Sequence, residues 1–99
     1  MVVESKKIIW TKQARTAIKN IYDFYKEKSL QGAKNVKSDI LQSPKTIRFS
    51  KQYQRDNINS NYRRIVVRDY KLLYKERGNT IQIMDVICTK QSPEKLKNK

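Results

Sequence analysis

The sequence predicts an α+β fold: a helix hairpin packed on one face of a small, mainly antiparallel sheet, in the order β-α-α-β-β-β. Three observations predict it. From Ala14 to Leu41, apolar residues recur at three- and four-residue intervals in two stripes, the period of helices buried along one side. From Tyr62 to Cys88 the chain reads instead as three strands separated by turn residues. Ahead of both, Lys7–Trp10 makes a short apolar run that leads directly into a hydroxyl residue.

Each element has its own justification. Lys7–Trp10 is the first strand, and Thr11 offers an N-cap, although alanine three positions on rules out a capping box. Ala14, Ala17, Ile18, Ile21, Phe24 and Tyr25 form the first helix's apolar stripe, with Phe24 and Tyr25 expected in the core. Ser29 to Gly32 interrupts the pattern. Ala33, Val36, Ile40 and Leu41 then resume it until Ser43-Pro44, where proline restrains the residue before it. Residues 45–61 are polar, dotted with aromatics and aperiodic, and read as an irregular connection. Strands follow at Tyr62–Val67, Tyr70–Glu76 and Thr80–Cys88, joined by turns at Arg68-Asp69 and Arg77-Gly78-Asn79. Gly78-Asn79 is expected to supply the positive φ angles of a tight hairpin. Alternation puts Lys71, Leu73 and Lys75 on one face and Tyr70, Leu72 and Tyr74 on the other. Trp10 is expected beneath the helix hairpin. A single domain over residues 1–99 follows, with 90–99 as a basic tail expected to fray.

The charge is the second strong signal. Twenty-three Lys+Arg face nine Asp+Glu, a net charge of +14 on 99 residues. Such an excess repels the compact state and points to a polyanionic or acidic partner. It is uneven: residues 44–99 carry fourteen basic groups against five acidic, and arginines cluster in and around the strands. Arg63, Arg64, Arg68, Lys71, Lys75 and Arg77 stand where a sheet is ordinarily apolar or neutral. The competing reading is a solvated, Lys-rich surface with no partner.

Several chemistries are excluded or disfavoured. There is no histidine and Cys88 is the only cysteine, so the usual zinc sites and an intramolecular disulfide are ruled out. With only Gly32 and Gly78, no glycine-rich phosphate loop exists. No acidic pair suggests metal or glycosidic chemistry, and no cofactor is expected. No apolar run approaches membrane-spanning length and the start lacks a signal pattern, so a cytoplasmic protein without membrane contact is expected. RNA cleavage needs a base for the 2′-hydroxyl, stabilisation of the phosphorane and an acid for the leaving oxygen. Arg63 and Arg64 suit the phosphate, and Lys71 or Lys75 amid arginines could serve as base. Tyr53 and Tyr62 remain candidates for stacking on a ligand, whereas Tyr70 and Tyr74 read as core.

The order of elements, with Trp10-Thr11 and Ala14 entering the first helix, Tyr62-Arg63 opening a strand, and Asp69-Tyr70-Lys71-Leu72-Leu73-Tyr74 within the next, resembles the RelE/ParE superfamily of toxins from bacterial type II toxin–antitoxin modules. The resemblance runs from about Ile8 to Leu96. It implies a growth-arresting toxin held by a cognate acidic antitoxin. The helix hairpin, the stretch Tyr53-Gln54-Arg55-Asp56-Asn57 and the basic ending after Lys90-Gln91-Ser92-Pro93 resemble the ParE branch, which is associated with inhibition of DNA gyrase. The RelE branch cleaves messenger RNA on the ribosome, and on that reading Arg63, Lys71 and Lys90 would be catalytic. Nothing aromatic follows Tyr74, so the late tyrosine of that branch is missing. Whether the protein is an enzyme thus turns on the branch. On either branch Arg63, Arg64, Arg68, Lys71, Lys75, Lys90 and Lys95 are the expected contacts to target or nucleic acid, with Arg63 and Lys71 expected to be exposed. A non-toxic basic nucleic-acid-binding module is the third reading.

Overall fold

A computed structural model describes residues 7–47 and 52–90. Its elements are β1 (Lys7–Trp10), α1 (Lys12–Lys26), α2 (Leu30–Gln42), β2 (Arg63–Val67), β3 (Tyr70–Arg77) and β4 (Thr80–Cys88), the expected order. A short 3-10 turn over Ser43–Thr46 ends the helix hairpin, with Pro44 buried at its start. Across the sheet the strands run β1-β4-β3-β2. β2, β3 and β4 form an antiparallel meander, and β1 lies parallel to β4 at one edge. The helices cover one face, where Ala14, Ile18, Val36 and Ile40 meet Ile65, Leu72, Tyr74, Ile81 and Ile83 in a single core. None of the described helices is long and apolar enough to cross a membrane.

Both helix starts are capped, the first as its sequence suggests. The Thr11 hydroxyl accepts from the Ala14 amide at 3.2 Å, and the Ser29 hydroxyl accepts from the Gly32 amide at 2.9 Å. The second cap corrects the reading of Ser29–Gly32 as an interruption. α2 already begins at Leu30, and Gly32 lies within its first turn.

β4 changes phase partway along. Ile81 and Ile83 face the helices from odd positions, Val86 and Cys88 from even ones. Leu73 pairs with Asp85 but Tyr74 pairs with Ile83, so Met84 is an extra, unpaired residue and the strand bulges there. Thr11 meets this bulge from the end of β1: its amide continues the parallel ladder onto the Ile83 carbonyl at 3.2 Å, and its hydroxyl lies 2.8 Å from that oxygen and 3.2 Å from the Met84 carbonyl. One residue therefore caps α1 and fastens it to the sheet.

Three further expectations change. Phe24 is 55% exposed rather than core, because α1 buries the stripe through Ala14, Ile18, Ile21 and Tyr25 and Phe24 falls beside it. Its ring meets Tyr25 edge-on at 5.4 Å and carries the Lys28 ammonium at 4.8 Å. Of Gly78 and Asn79, only Gly78 has positive φ (62°); the other positive φ among the described residues is Arg68 at 54°, in the β2–β3 turn. Tyr53 packs edge-on against Tyr74 at 6.4 Å, at the margin of the core, and does not stand out as a stacking platform. Trp10 is half-buried and packs on the core from the edge strand, below the hairpin as expected.

Candidate functional site

The face of the sheet away from the helices is assembled by register. Arg64 lies opposite Leu73 and Val66 opposite Lys71, so these four share that outer face with Lys75, Ile87 and, on β1, Lys7 and Ile9. It is not uniformly cationic. Leu73 is 3% exposed although it points away from the main core. A loop, residues 54–62, folds over it. Asn59 and Tyr62 line a recess of about 230 Å³ with Leu73, Met84 and Ile87.

Asp56 anchors that loop. It is 1% exposed, the one charged residue buried among those described. One carboxylate oxygen, Oδ1, receives the Lys71 ammonium at 2.7 Å and has Arg64 Nη1 at 3.7 Å. The other, Oδ2, accepts from the Ile58 and Asn59 amides at 3.1 and 2.8 Å. Burial pushes this carboxyl's pKa up, but the Lys71 ammonium and the two amides outweigh it and hold it below the usual carboxylate value. The loop's neck is closed by the Asp56 amide on the Tyr62 carbonyl at 2.9 Å and by Arg55 Nη1 on the Ser60 carbonyl at 2.9 Å. Arg64 also bonds the Asn57 side chain and the Arg55 carbonyl.

The predicted cations separate into groups. Arg64 and Lys71 converge on Asp56. Arg63 lies opposite Tyr74, hence on the helix side of the sheet, and donates to the Tyr53 carbonyl at 2.8 Å. Arg63 and Lys71 thus point to opposite faces. Neither is freely exposed as expected: Arg63 is half-buried, and the Lys71 side chain is 13% exposed. Arg68 reaches back to Asp39 on α2 at 2.6 Å. Lys75 is half-buried on the outer face. Lys90 is 74% exposed, 3.4 Å from Asp69. Lys95 and the rest of the expected tail lie outside the described residues. Sequence reasoning assigned Asp56 no role. Its signal was an acidic residue among turn-forming asparagines just ahead of a basic strand.

A second feature lies on the helix side. Trp10, Ile18, Tyr22 and Leu41 floor a groove of about 320 Å³, and Arg15, Lys19 and Lys37 stand at its rim. Lys37 lies 5.3 Å over the Tyr22 ring.

The architecture is thus a helix hairpin on a four-stranded sheet, with a mixed apolar and cationic outer face and a groove beside the hairpin. The profile of the ParE toxin of the type II toxin–antitoxin system parDE matches residues 8–93, and the chain belongs to that family. As a ParE-family toxin it has a cognate antitoxin as partner. The solved structure "Chromosomal ParDE TA system from P. aeruginosa" shares the fold, with a TM-score of 0.74 at 19% identity, covering 85% of this chain and 96% of that one. Among curated proteins, none matches the chain.

Proposed function

We propose that this toxin arrests growth by inhibiting DNA gyrase, as a protein ligand and not as a nuclease, and that an acidic, amphipathic antitoxin segment silences it. The disposition of the sheet cations carries this reading. A ribonuclease site needs a base and a phosphate clamp converging on one scissile bond. Here Lys71 and Arg64 are engaged by the buried Asp56, Arg63 faces the other side of the sheet, and Lys90 stands at the hairpin end beside Asp69. These groups do not surround a common point. The groove of Trp10, Ile18, Tyr22 and Leu41, with its lysine and arginine rim, supports the antitoxin half of the proposal.

Purified toxin assayed side by side for gyrase supercoiling and for cleavage of ribosome-bound transcripts tests it. Loss of supercoiling with intact transcripts is the expected result. Cleavage without any effect on gyrase would overturn the proposal and restore Arg63, Lys71 and Lys90 as catalytic candidates.

A further inference from the structure

Ile58 is 64% exposed, the most exposed large apolar residue among those described, and it sits at the tip of a loop held by several side-chain bonds. Two facts make this more than a stray surface isoleucine. First, the backbone amide of Ile58 is itself held by Asp56 Oδ2, and that carboxylate is fixed by Lys71 and flanked by Arg64. A buried ion pair is a poor source of stability, since desolvating both charges offsets most of their attraction. What it does supply is fixed geometry. Second, the surroundings are patterned. Arg55 and Arg64 bracket the loop through Ser60 and Asn57. Val66, 61% exposed, stands two residues beyond Arg64 on the same face of β2. An apolar tip, held in place by these bonds with the exposed Arg55 in the same loop, has the make-up of an interface anchor, in which a preordered side chain enters a recess and charges at the rim select the partner.

We propose that Ile58 is the anchor of a target-docking loop, and that its partner is a protein offering an apolar recess bordered by carboxylates. The argument for a protein over a nucleic acid is the tip itself: an isoleucine gains nothing from a phosphate backbone, whereas Arg55, exposed in the same loop, complements acidic residues around a recess. This surface lies on the loop side of the sheet, apart from the helix-side groove of Trp10 and Tyr22. The proposal rests on the reading of the toxin as a protein ligand of gyrase, and Asp56 acts in it as a positioning residue.

The test uses the full chain with Ile58→Ser and Ile58→Asp. Each variant is checked for an unchanged melting temperature, then measured for growth arrest on controlled expression, for inhibition of purified gyrase, and for affinity to the cognate antitoxin. The expected result is at least about a tenfold loss of potency in both activity assays, with antitoxin affinity unchanged. The loss should be larger for Ile58→Asp than for Ile58→Ser, because the introduced carboxylate would meet carboxylates. Full growth arrest by Ile58→Asp overturns the proposal. So does a loss of antitoxin affinity as large as the loss of potency, which would make the loop an antitoxin contact. If Arg55→Ala abolishes activity while Ile58→Ser retains it, the occupant is a polyanion and the proposal likewise falls. Should wild-type protein arrest growth yet leave gyrase untouched, the gyrase reading fails, and the growth-arrest comparison still decides the role of Ile58.

Discussion

Asp56 shows how one residue can redirect a whole surface. Its carboxylate converts Lys71 and Arg64 from a free cationic pair into the footing of a loop. Removing one partner of a buried pair leaves the other uncompensated, so Asp56→Ala should destabilise by about 3–5 kcal/mol. Lys71→Met should cost less, because Asp56 keeps the Ile58 and Asn59 amides and Arg64. The double variant should be more stable than the two single losses imply, with a coupling of about 1–3 kcal/mol in urea unfolding. Strict additivity would mean that the ion pair does not fix the loop. Little of this was legible beforehand. Strand alternation correctly placed Lys71, Leu73 and Lys75 on the face away from Tyr74. But alternation says nothing about what covers a face, and the Asp56–Lys71 contact depends on a loop folding back across fifteen residues. Arg63 misled for a related reason: two adjacent arginines look alike in sequence, yet consecutive strand positions point to opposite sides.

At the scale of elements, the periodic parts of the chain were readable and the departures from periodicity were not. The apolar stripes of both helices, the Ser43-Pro44 stop and the two hairpin turns lie where residue spacing puts them. The bulge at Met84 could not be read in the same way, because Ile81 to Cys88 is apolar enough on both parities to hide a change of phase. Phe24 was misplaced because a residue next to Tyr25 fits the edge of a helical stripe almost as well as its centre. The bulge matters through Thr11, whose hydroxyl caps α1 and bonds the bulge carbonyls. Thr11→Val keeps the shape and the backbone bond to the Ile83 carbonyl but removes the cap and the hydroxyl's bond to the bulge, at an expected cost of about 2 kcal/mol. Thr11→Ser, which retains the oxygen, should lose less than half of that. Chemical denaturation of the two variants distinguishes this joint from ordinary packing: a loss in Thr11→Ser with none in Thr11→Val would show that the methyl group, and not the hydroxyl, holds α1 to β4.

For the whole molecule the governing quantity is charge. With 23 Lys+Arg against nine Asp+Glu, at least fourteen cations have no carboxylate of their own. The folded chain therefore works against self-repulsion, which an acidic partner relieves. Two local effects bound the pH range over which it is stable. Asp56 has a lowered pKa in the fold, so its contribution is whole above the unfolded carboxyl value of about 3.9 and is lost as pH falls through the folded value. Tyr70 and Tyr74 are shifted the other way. Burial raises both phenols, helped at Tyr70 by its hydrogen bond to Tyr25. Their contribution is whole below about pH 10 and disappears as pH rises towards the folded values. Stability should accordingly be level between about pH 5 and 9 and fall at both ends. Salt separates the local from the global cause on the acid side. Protonating the carboxylates leaves all the cations unopposed, and that repulsion is screened when the Debye length shrinks from about 30 Å at 0.01 M to about 10 Å at 0.1 M salt. The buried Asp56–Lys71 contact, at 2.7 Å, is screened far less. Melting temperatures followed from pH 7 to pH 2.5 at the two salt concentrations should show an acid limb that shifts only partly with salt. The part that stays fixed should vanish in Asp56→Asn, whose side chain has no proton to gain. An acid limb that moves entirely with salt, and is the same in wild type and Asp56→Asn, would assign acid unfolding to net charge alone and deny the Asp56 pair any share in it.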